Sequence, residues 1–403
     1  DSNKSLSHLF IRIAVFASAL SLIVMILSIS VLDGFKSAIR DKLAGFGAHI
    51  VVNKHDANYS LETSPIEKSD DIIAKIYDIK GVKHVQTFVL KAGIVKTDEE
   101  TQGVILKGIG NDFDWTFFDD NLVRGTHFEA KREVVAGKDV IISEELSKIT
   151  GLDLNDNLYM YFIEDQARMR KYNVVGIYNT GMVEFDRLYV LADIHDVQKL
   201  NNWEYLDKEE VTGYEILIEN FADLDKINNE VIRRVGFRFD GEGEKLKVST
   251  IQELYPQIFD WLSLLDMNAL VLLLIMVVIA SINMVTALLI LILERTRLIG
   301  ILKAVGAENW SIRKIFIYNG LSILLKGLLW GNLIGLGIAL LQYYTHFISL
   351  NPELYYVDYV PLSLNLLKVL FVNLGMIILT FFVLIIPSYL IAKIEPVKAI
   401  KFD

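Results

Sequence analysis

Cysteine is absent from this 403-residue sequence, and histidine and proline are scarce, with 7 and 6 residues respectively. The lack of cysteine excludes a disulfide framework. The histidines are scattered along the chain, and they form neither an HExxH motif nor a cluster with carboxylates at metal-ligand spacing. The sequence therefore predicts no metal site.

A phosphate-binding loop is missing as well. The segment nearest to the pattern G-x-x-x-x-G-K-[ST] is AGKDV at 136–140, which lacks the leading glycine and the hydroxyl residue after the lysine. The many carboxylates between residues 33 and 260 are interpreted as a solvated surface, because charged residues are rarely buried. We expect no catalytic residues in this chain. If the protein drives an energy-requiring process, the energy must therefore come from outside this chain.

Long apolar runs are what the sequence has instead. Apolar residues make up 52% of the chain and the mean hydropathy is +0.37, which is too high for an ordinary soluble protein. About 20 apolar residues in a helix cross the roughly 30 Å of hydrocarbon in a bilayer. Four runs meet this requirement, at 9–32, 269–293, 315–341 and 366–391. The sequence predicts four transmembrane helices and a large outer domain at 33–268.

The charges of the short loops predict the orientation. The loop 294–314 and the tail 392–403 are rich in Lys and Arg, whereas the loop 345–367 contains neither. Because cytoplasmic loops carry an excess of these residues, we expect both termini and the loop 294–314 in the cytoplasm. The large domain and the loop 345–367 then face outward. The large domain is acidic, which argues against nucleic acid, since binding to phosphates depends on Lys and Arg.

Apolar patterns predict an α+β fold for the outer domain. A strand–helix–strand order occurs twice, at 49–55, 70–79 and 84–96, and again at 214–219, 223–235 and 245–250. Two such units indicate a ferredoxin-like, split βαβ sandwich. The piece between them, about 111–197, is predicted to be a mainly β insert, and the chain is expected to be helical from Thr250 into the second span.

Glycine recurs every fourth residue in the third apolar run, at Gly327, Gly331 and Gly335. Small residues at this spacing let another helix approach closely. We therefore expect a helix-packing groove here, the alternative being glycine without a packing role.

The segment ERTRLIGILKAVGAENWSIRKI at 294–315 lies between two of the apolar runs but is itself amphipathic. Its apolar residues fall mostly on one side of a helix, and Gly306 is placed to end that helix. The side is formed by Leu298, Ile299, Ile301, Leu302 and Val305. The pattern predicts a short helix in the cytoplasmic loop, although a helix that lies on lipid has the same pattern.

Four motifs carry a resemblance to a known family. ILERTRLIGILKAVGA at 292–307 resembles the coupling-helix signature of FtsX/MacB-type ABC permeases, and SVLDGF at 30–35 resembles their motif after the first span. NPELYYVDYVP at 351–361 resembles the outer loop of the lipoprotein-releasing LolC/LolE branch, and KIEPVKAIK at 393–401 resembles the family's closing segment. The match covers the whole chain in order, with one span, a large outer domain and three spans.

This resemblance implies a permease subunit that works by mechanotransmission in the inner membrane of a diderm bacterium. A separate ABC ATPase would bind ATP and Mg, so no cofactor is expected in this chain. A second permease subunit, identical or related, would complete the transporter, and lipoproteins would pass from membrane lipid to a periplasmic lipoprotein carrier. The outer domain would be a porter-like subdomain with its insert. The ATPase would act on Arg297, Ile299, Gly300, Leu302, Lys303, Val305 and Gly306.

In such a dimer the first span, which is free of glycine, would line an outward-opening apolar cleft with the second span. The predicted lining residues are Met25, Ile29, Leu272 and Met276, and ordinary helix packing is the alternative for all four.

One departure from the family leaves the exact branch open. LolC-like members carry a Pro-containing hook in the insert that captures the chaperone, whereas the corresponding IEDQARMRKY at 163–172 is short and has no Pro. A LolE-like subunit or a single-permease homodimer is therefore also consistent with the sequence. Two further functions are alternatives within the superfamily. These are MacB-like efflux of small molecules or peptides and FtsX-like signalling to a cell-wall hydrolase, the latter disfavoured by the size of the outer domain.

Overall fold

The computed structural model describes residues 2–55, 63–97, 100–128, 138–162, 168–205, 208–236 and 245–393. The chain forms two compact units. The membrane unit takes Asp1–Ser37, Asp260–Ser349 and Tyr359–Asp403, and the outer unit takes Ala38–Phe259 and Leu350–Asp358.

The helices and strands have the following bounds. The α-helices are α1 Ser2–Gly47, α2 Asp70–Tyr77, α3 Thr116–Asp120, α4 Glu144–Thr150, α5 Val183–Asp186, α6 Ile194–Leu200, α7 Leu224–Val231, α8 Ile251–Leu254, α9 Pro256–Glu294, α10 Thr296–Ala304, α11 Asn309–Thr345, α12 Pro352–Tyr355, α13 Leu366–Ser388 and α14 Leu390–Lys393. A 3-10 turn Phe221–Asp223 precedes α7, and a π-helical turn Ile232–Gly236 follows it. The strands are β1 Ile50–Lys54, β2 Ile66–Glu67, β3 Val82–Lys96, β4 Thr101–Ile109, β5 Leu122–Gly125, β6 Asp139–Ser143, β7 Asn157–Phe162, β8 Arg168–Tyr178, β9 Tyr189–Asp193, β10 Glu204–Tyr205, β11 Lys208–Val211, β12 Gly213–Ile218 and β13 Leu246–Thr250.

Four long apolar helices dominate the membrane unit, as predicted. The four runs lie in α1, α9, α11 and the pair α13–α14, and each helix is long and apolar enough to cross a membrane. Their inward faces meet in a core that includes Leu22, Met284, Leu324 and Leu384. α1 continues beyond its apolar run to Gly47 and ends where Ala48 adopts a positive φ of 59°.

The outer unit contains the predicted split βαβ arrangement. Its strands follow the order β13-β1-β12-β3, and all neighbours in this row are antiparallel. The connection from β1 to β3 contains β2 and α2, and these two strands, β1 and β3, lie on either side of β12. The connection from β12 to β13 contains α7, and β12 and β13 lie on either side of β1. The two βαβ halves therefore interleave in one sheet.

The middle piece continues this sheet rather than forming a separate one. β3 has 15 residues, of which the first part pairs with β12 and the second part with β4. From β4 the sheet runs through β9, β6 and β8 to β5, and β7 pairs with both β3 and β8. The sequence patterns do not predict β4, because its second half is buried without alternation.

The helix predicted from Thr250 into the second span is interrupted at Tyr255. α8 begins with a capping box, in which the Thr250 hydroxyl accepts the N–H of Glu253 and the Glu253 carboxylate accepts the N–H of Thr250. Tyr255 then leaves the helical conformation, with φ −126° and ψ 56°, and Pro256 begins α9. Proline suits the first helical position and disfavours helical geometry in the residue before it.

Two predicted segments lie partly outside the described residues. β7 and β8 pair as antiparallel neighbours, but 163–167 in the connection between them is outside the described part. The closing segment 393–401 is described only at its first residue.

Candidate functional site

The amphipathic segment forms a helix, α10, that packs against the membrane bundle with one face. Ile299 and Gly300 are buried on this face, and Leu302 is half-buried. Ile299 belongs to the same core as Ile312 and Phe316 of α11. Gly306, with φ 93°, follows the end of α10, as the sequence predicts. α10 is therefore joined to the bundle by side-chain packing as well as by the chain.

The opposite face of α10 exposes apolar side chains. Val305 is 84% exposed, Leu298 and Ile301 are about half-exposed, and Trp310 at the start of α11 is 52% exposed. We call these four residues the coupling patch. The single apolar side predicted from the sequence is thus split, because Ile299 lies inward while Leu298, Ile301 and Val305 lie outward. Trp310 is a member that the sequence patterns did not indicate.

The predicted coupling residues are therefore divided between two roles. Arg297 and Val305 are exposed, whereas Ile299 and Gly300 contact the bundle. Lys303 donates to the carbonyl oxygen of Ile391 at 2.7 Å, at the end of the fourth span. This bond satisfies a helix-terminal carbonyl, so Lys303 fastens α10 to α14.

α1 occupies the glycine groove of α11. A Cβ at Gly327 would lie 2.7 Å from the Cβ of Ser18, and one at Gly331 would lie 2.9 Å from that of Leu22. At Gly335 the nearest atoms are 3.4 Å away, which is ordinary contact. The absence of side chains at the first two positions is what permits this close approach.

Two further contacts stabilise the membrane unit. Asn332 of α11 and Asn373 of α13 exchange side-chain hydrogen bonds of 2.8 and 3.0 Å. Gly34 of the SVLDGF motif lies against Pro361 of the outer loop, where a Cβ would clash with the Pro361 carbonyl group. Two of the motifs that carry the family resemblance are thus in contact. The asparagine pair has no sequence signal, since it depends on the register of two helices.

The four predicted cleft residues differ in burial. Met25 is fully buried in the core of the membrane unit, so in the single chain it takes part in helix packing and does not line an open surface. Ile29, Leu272 and Met276 are half-buried, and Met276 packs against the same core.

In the outer unit, Lys42 near the end of α1 connects two loops. Its ammonium donates to the carbonyl oxygens of Thr180 and Tyr356, the second at 2.8 Å. Gly181, with φ 73°, allows the approach, since a Cβ there would lie 3.1 Å from Lys42 Nζ. We call this arrangement the Lys42 clamp. It fixes the chain between α11 and α13 to the loop after β8.

A buried carboxyl group lies beside the clamp. Asp186 accepts the backbone N–H and the hydroxyl of Thr180, at 3.2 and 2.7 Å. Burial raises the pKa of Asp186 to about 6, while the hydrogen bonds from Thr180 and the charge of Lys42 act in the opposite direction. Among the described residues, no group of three or more His, Cys, Asp or Glu is placed to hold a metal ion.

Comparison with known proteins agrees with this architecture. The family model of the MacB-like periplasmic core domain matches residues 13–234, and that of the FtsX-like permease C-terminal region matches residues 270–396. The transmembrane protein LolC of the lipoprotein-releasing system of Buchnera aphidicola subsp. Schizaphis graminum is 22% identical over 386 residues, which cover 92% of this chain and 88% of LolC. LolC of Xylella fastidiosa strain 9a5c is 23% identical over 421 residues, with coverages of 98% and 94%.

Two further similarities cover shorter stretches. LolE of Haemophilus influenzae is 32% identical over 132 residues, which cover 30% of this chain and 31% of LolE. The crystal structure of the periplasmic region of MacB from Actinobacillus actinomycetemcomitans is 12% identical with a TM-score of 0.34, and the match covers 54% of this chain and 95% of that one.

Four apolar helices, a mixed α/β outer unit and the two family models define a multi-pass membrane permease of the ABC type with a periplasmic domain. The chain belongs to the FtsX/MacB-like permease superfamily, and its LolC and LolE relatives are consistent with the lipoprotein-releasing branch. The resemblance and the fold class predicted from the sequence are confirmed.

Proposed function

We propose that this permease releases lipoproteins from the inner membrane to a periplasmic carrier, driven by a separate ATPase. It would work with a second permease subunit, identical or related. The full-length similarity to LolC proteins supports this choice, because the names of those relatives identify a lipoprotein-releasing system.

The observation that carries the proposal is the two-faced packing of α10. The coupling patch is apolar and exposed, which is typical of a surface that another protein covers. Ile299 and Gly300 on the opposite face are buried against the bundle. A force applied to the patch would therefore reach α9 and α11 through packed side chains, which transmit strain because protein interiors are dense.

The chemistry of the substrate explains why such a device is needed. Acyl chains dissolve in the bilayer, so an apolar cleft that is open to lipid admits them at little desolvation cost. Extraction is the uphill step, since each CH₂ exposed to water costs about 0.8 kcal/mol. Mechanical closure together with a receiving apolar pocket on a carrier offsets this cost.

Two alternative functions can be distinguished from lipoprotein release. A MacB-like pump would export a soluble peptide or small molecule, and an FtsX-like permease would activate a cell-wall hydrolase without transport. Neither has a specific feature of the described residues in its favour, whereas two LolC proteins match more than nine-tenths of the chain.

The first test reconstitutes the permease with its ATPase and a triacylated lipoprotein in proteoliposomes. We expect ATP to transfer the lipoprotein to a soluble carrier. Val305→Asp places a charge on the coupling patch, and it should lower ATPase association and lipoprotein release at least about tenfold, as loss of a central interface residue does.

Val123→Asp is the matched control. Val123 of β5 is also an exposed valine, but it lies in the outer unit, and its substitution should leave both readouts unchanged. Gly300→Trp would be a poor probe, because Gly300 is buried and the change would disturb the bundle itself. Normal ATPase association in Val305→Asp would refute the docking role. Normal ATP hydrolysis with export of a soluble peptide, and no release of acylated protein, would replace lipoprotein release by efflux.

A further inference from the structure

The outer unit contains a cavity of about 400 Å³ that has no role in the mechanism above. This volume lies within the range of small-molecule sites, which is about 300–1,000 Å³. The cavity lies on one face of the sheet formed by β1, β12, β3 and β4, and the segment before β9 and the ends of α1 and α8 border it. Leu254 and Glu184 at its border are exposed, so the cavity is open to solvent.

Strand register explains why these side chains share a face. Val51 of β1 pairs with Glu215 of β12, which pairs with Gln86 of β3, and Leu90 of β3 pairs with Lys107 of β4. Residues that pair directly across a sheet project to the same side. The walls are largely aromatic and aliphatic, and they include Phe46, Phe88, Leu90, Phe185, Leu188 and Tyr189.

The two buried charged groups of the cavity compensate each other. Lys107 and Glu215 are both buried and form an ion pair of 2.6 Å. Lys107 also donates to the carbonyl oxygen of Phe46, and Gln86 donates to the second oxygen of Glu215 at 2.7 Å. This floor carries no net charge, so it favours a neutral ligand over an ion.

Two polar side-chain atoms at the cavity lack hydrogen-bond partners among the described residues. The amide oxygen of Asn53 and the hydroxyl of Thr63 are shielded from solvent, and neither makes a hydrogen bond in the described structure. A buried polar atom without a partner costs about 1–3 kcal/mol, and native structures satisfy nearly all such atoms. A ligand with a hydrogen-bond donor next to an apolar chain would bond to the amide oxygen of Asn53 and would also fill the cavity.

We propose that this cavity binds a neutral N-acyl amide, with the acyl chain against the aromatic walls and the amide N–H bonded to the side-chain amide of Asn53. An amide suits this position because an asparagine side chain can both donate to it and accept from it. The inference deepens the proposed function, since an N-acylated protein terminus has this chemistry. It adds a ligand site in the outer unit to the apolar cleft expected between the spans.

The test uses the full chain in lipid nanodiscs without ATP or partner proteins. The probe is N-dodecanoyl glycinamide with a photoreactive diazirine in its chain. The comparison probe is methyl dodecanoyloxyacetate with the same diazirine, an ester in which oxygen replaces both amide nitrogens, so it has no N–H. Labelling is mapped by mass spectrometry, and labelling of peptides from α9 serves as the internal standard for partition into the lipid.

We expect the amide probe to label cavity peptides about fivefold more than the ester does, as loss of one hydrogen bond predicts. Asn53→Leu keeps the size of the side chain and should reduce amide labelling to the ester level. Leu188→Trp should fill the cavity and abolish labelling by both probes, whereas Val123→Trp on the exposed face of β5 should not.

Equal labelling by the two probes in the unsubstituted chain would overturn the assignment, and so would unchanged labelling in Leu188→Trp. Because labelling needs no ATPase, its failure leaves lipoprotein release untouched. Conversely, failed release in proteoliposomes together with amide-selective labelling would refute the proposed function and keep the site.

Discussion

At the scale of single residues, the outer unit shifts the pKa of several ionisable groups away from their ordinary values. Burial lowers the pKa of His49 to about 4, with the nearby charge of Lys83 as a second cause. Burial raises the pKa of Asp186 to about 6. As the pH falls, the lowered pKa of His49 makes the folded state less stable, whereas the raised pKa of Asp186 makes it more stable. A substitution at one of the two residues is therefore needed to separate their contributions to the free energy of unfolding.

The consequence for Asp186 can be measured. Its pKa in the folded state lies above that of an unfolded aspartate, so the folded state binds more protons between about pH 4 and pH 6. The free energy of unfolding therefore decreases as the pH rises through this window, by about 3 kcal/mol in total. Asp186→Asn removes this titration. We therefore expect the melting temperature of the variant, relative to that of the unsubstituted chain, to increase from pH 4.5 to pH 7.5.

Thr180→Val provides the control. It removes the hydroxyl that donates to Asp186 at 2.7 Å and stabilises the carboxylate, so the pH window should move upward instead of disappearing. A difference in melting temperature that stays constant from pH 4.5 to pH 7.5 in Asp186→Asn would contradict the raised pKa. The charge of Lys42 and the buried ring of Tyr178 both interact with Asp186 and are unchanged in these variants.

At the scale of elements, the Lys42 clamp connects a helix to two loops that are distant in sequence. The loop between α11 and α13 has backbone hydrogen bonds of its own, among them Leu350 N–H to the oxygen of Asp358 at 2.8 Å. Tyr356 adopts a positive φ of 59°, which is unfavourable for a residue with a side chain. We infer that the clamp stabilises this strained loop.

Lys42→Met should loosen the loop while keeping most of the length of the side chain. We expect hydrogen exchange at 350–358 to become about tenfold faster, as loss of hydrogen bonds to a charged donor predicts. Lys148→Met is the control, because Lys148 forms an exposed pair with Glu144 on the surface of α4. Exchange at 350–358 that is equally slow in both variants would show that the clamp does not hold the loop.

At the scale of the whole molecule, we expect the chain to work beside a second permease subunit. Many large apolar side chains of α9 are exposed, including Leu264, Met267, Leu274 and Val278. Lipid or a partner subunit must cover them in the membrane. The first and second spans are the predicted borders of the cleft, so they should also be near the partner.

Because the chain has no native cysteine, single substitutions report contacts without background. Ile29→Cys on one tagged copy and Leu272→Cys on a differently tagged copy should form a crosslink between protomers in membranes. Met25→Cys in place of Ile29→Cys should not, since Met25 is fully buried within one chain. A chain that stays monomeric in mild detergent and in nanodiscs would contradict self-association and leave a related subunit as the partner.

The sequence alone determined the features that depend on neighbouring residues. Long apolar runs must lie in helices in a bilayer, because only internal hydrogen bonds satisfy the backbone there. Alternating and helical patterns likewise indicated the split βαβ arrangement, since such patterns depend on residues that are close in the sequence. The coupling segment was recognisable for the same reason, as its motif and its amphipathic character are local.

Only the tertiary structure decided which of these residues meet. The apolar face predicted for α10 separated into Ile299 inside and Val305 outside, because burial depends on the neighbouring helices and not on the pattern of α10. β4 was not predicted, since a strand buried on both faces has no alternation. The Lys42 clamp and the environment of the Asn53 amide are formed by residues that are distant in the sequence. No spacing in the sequence predicts such contacts.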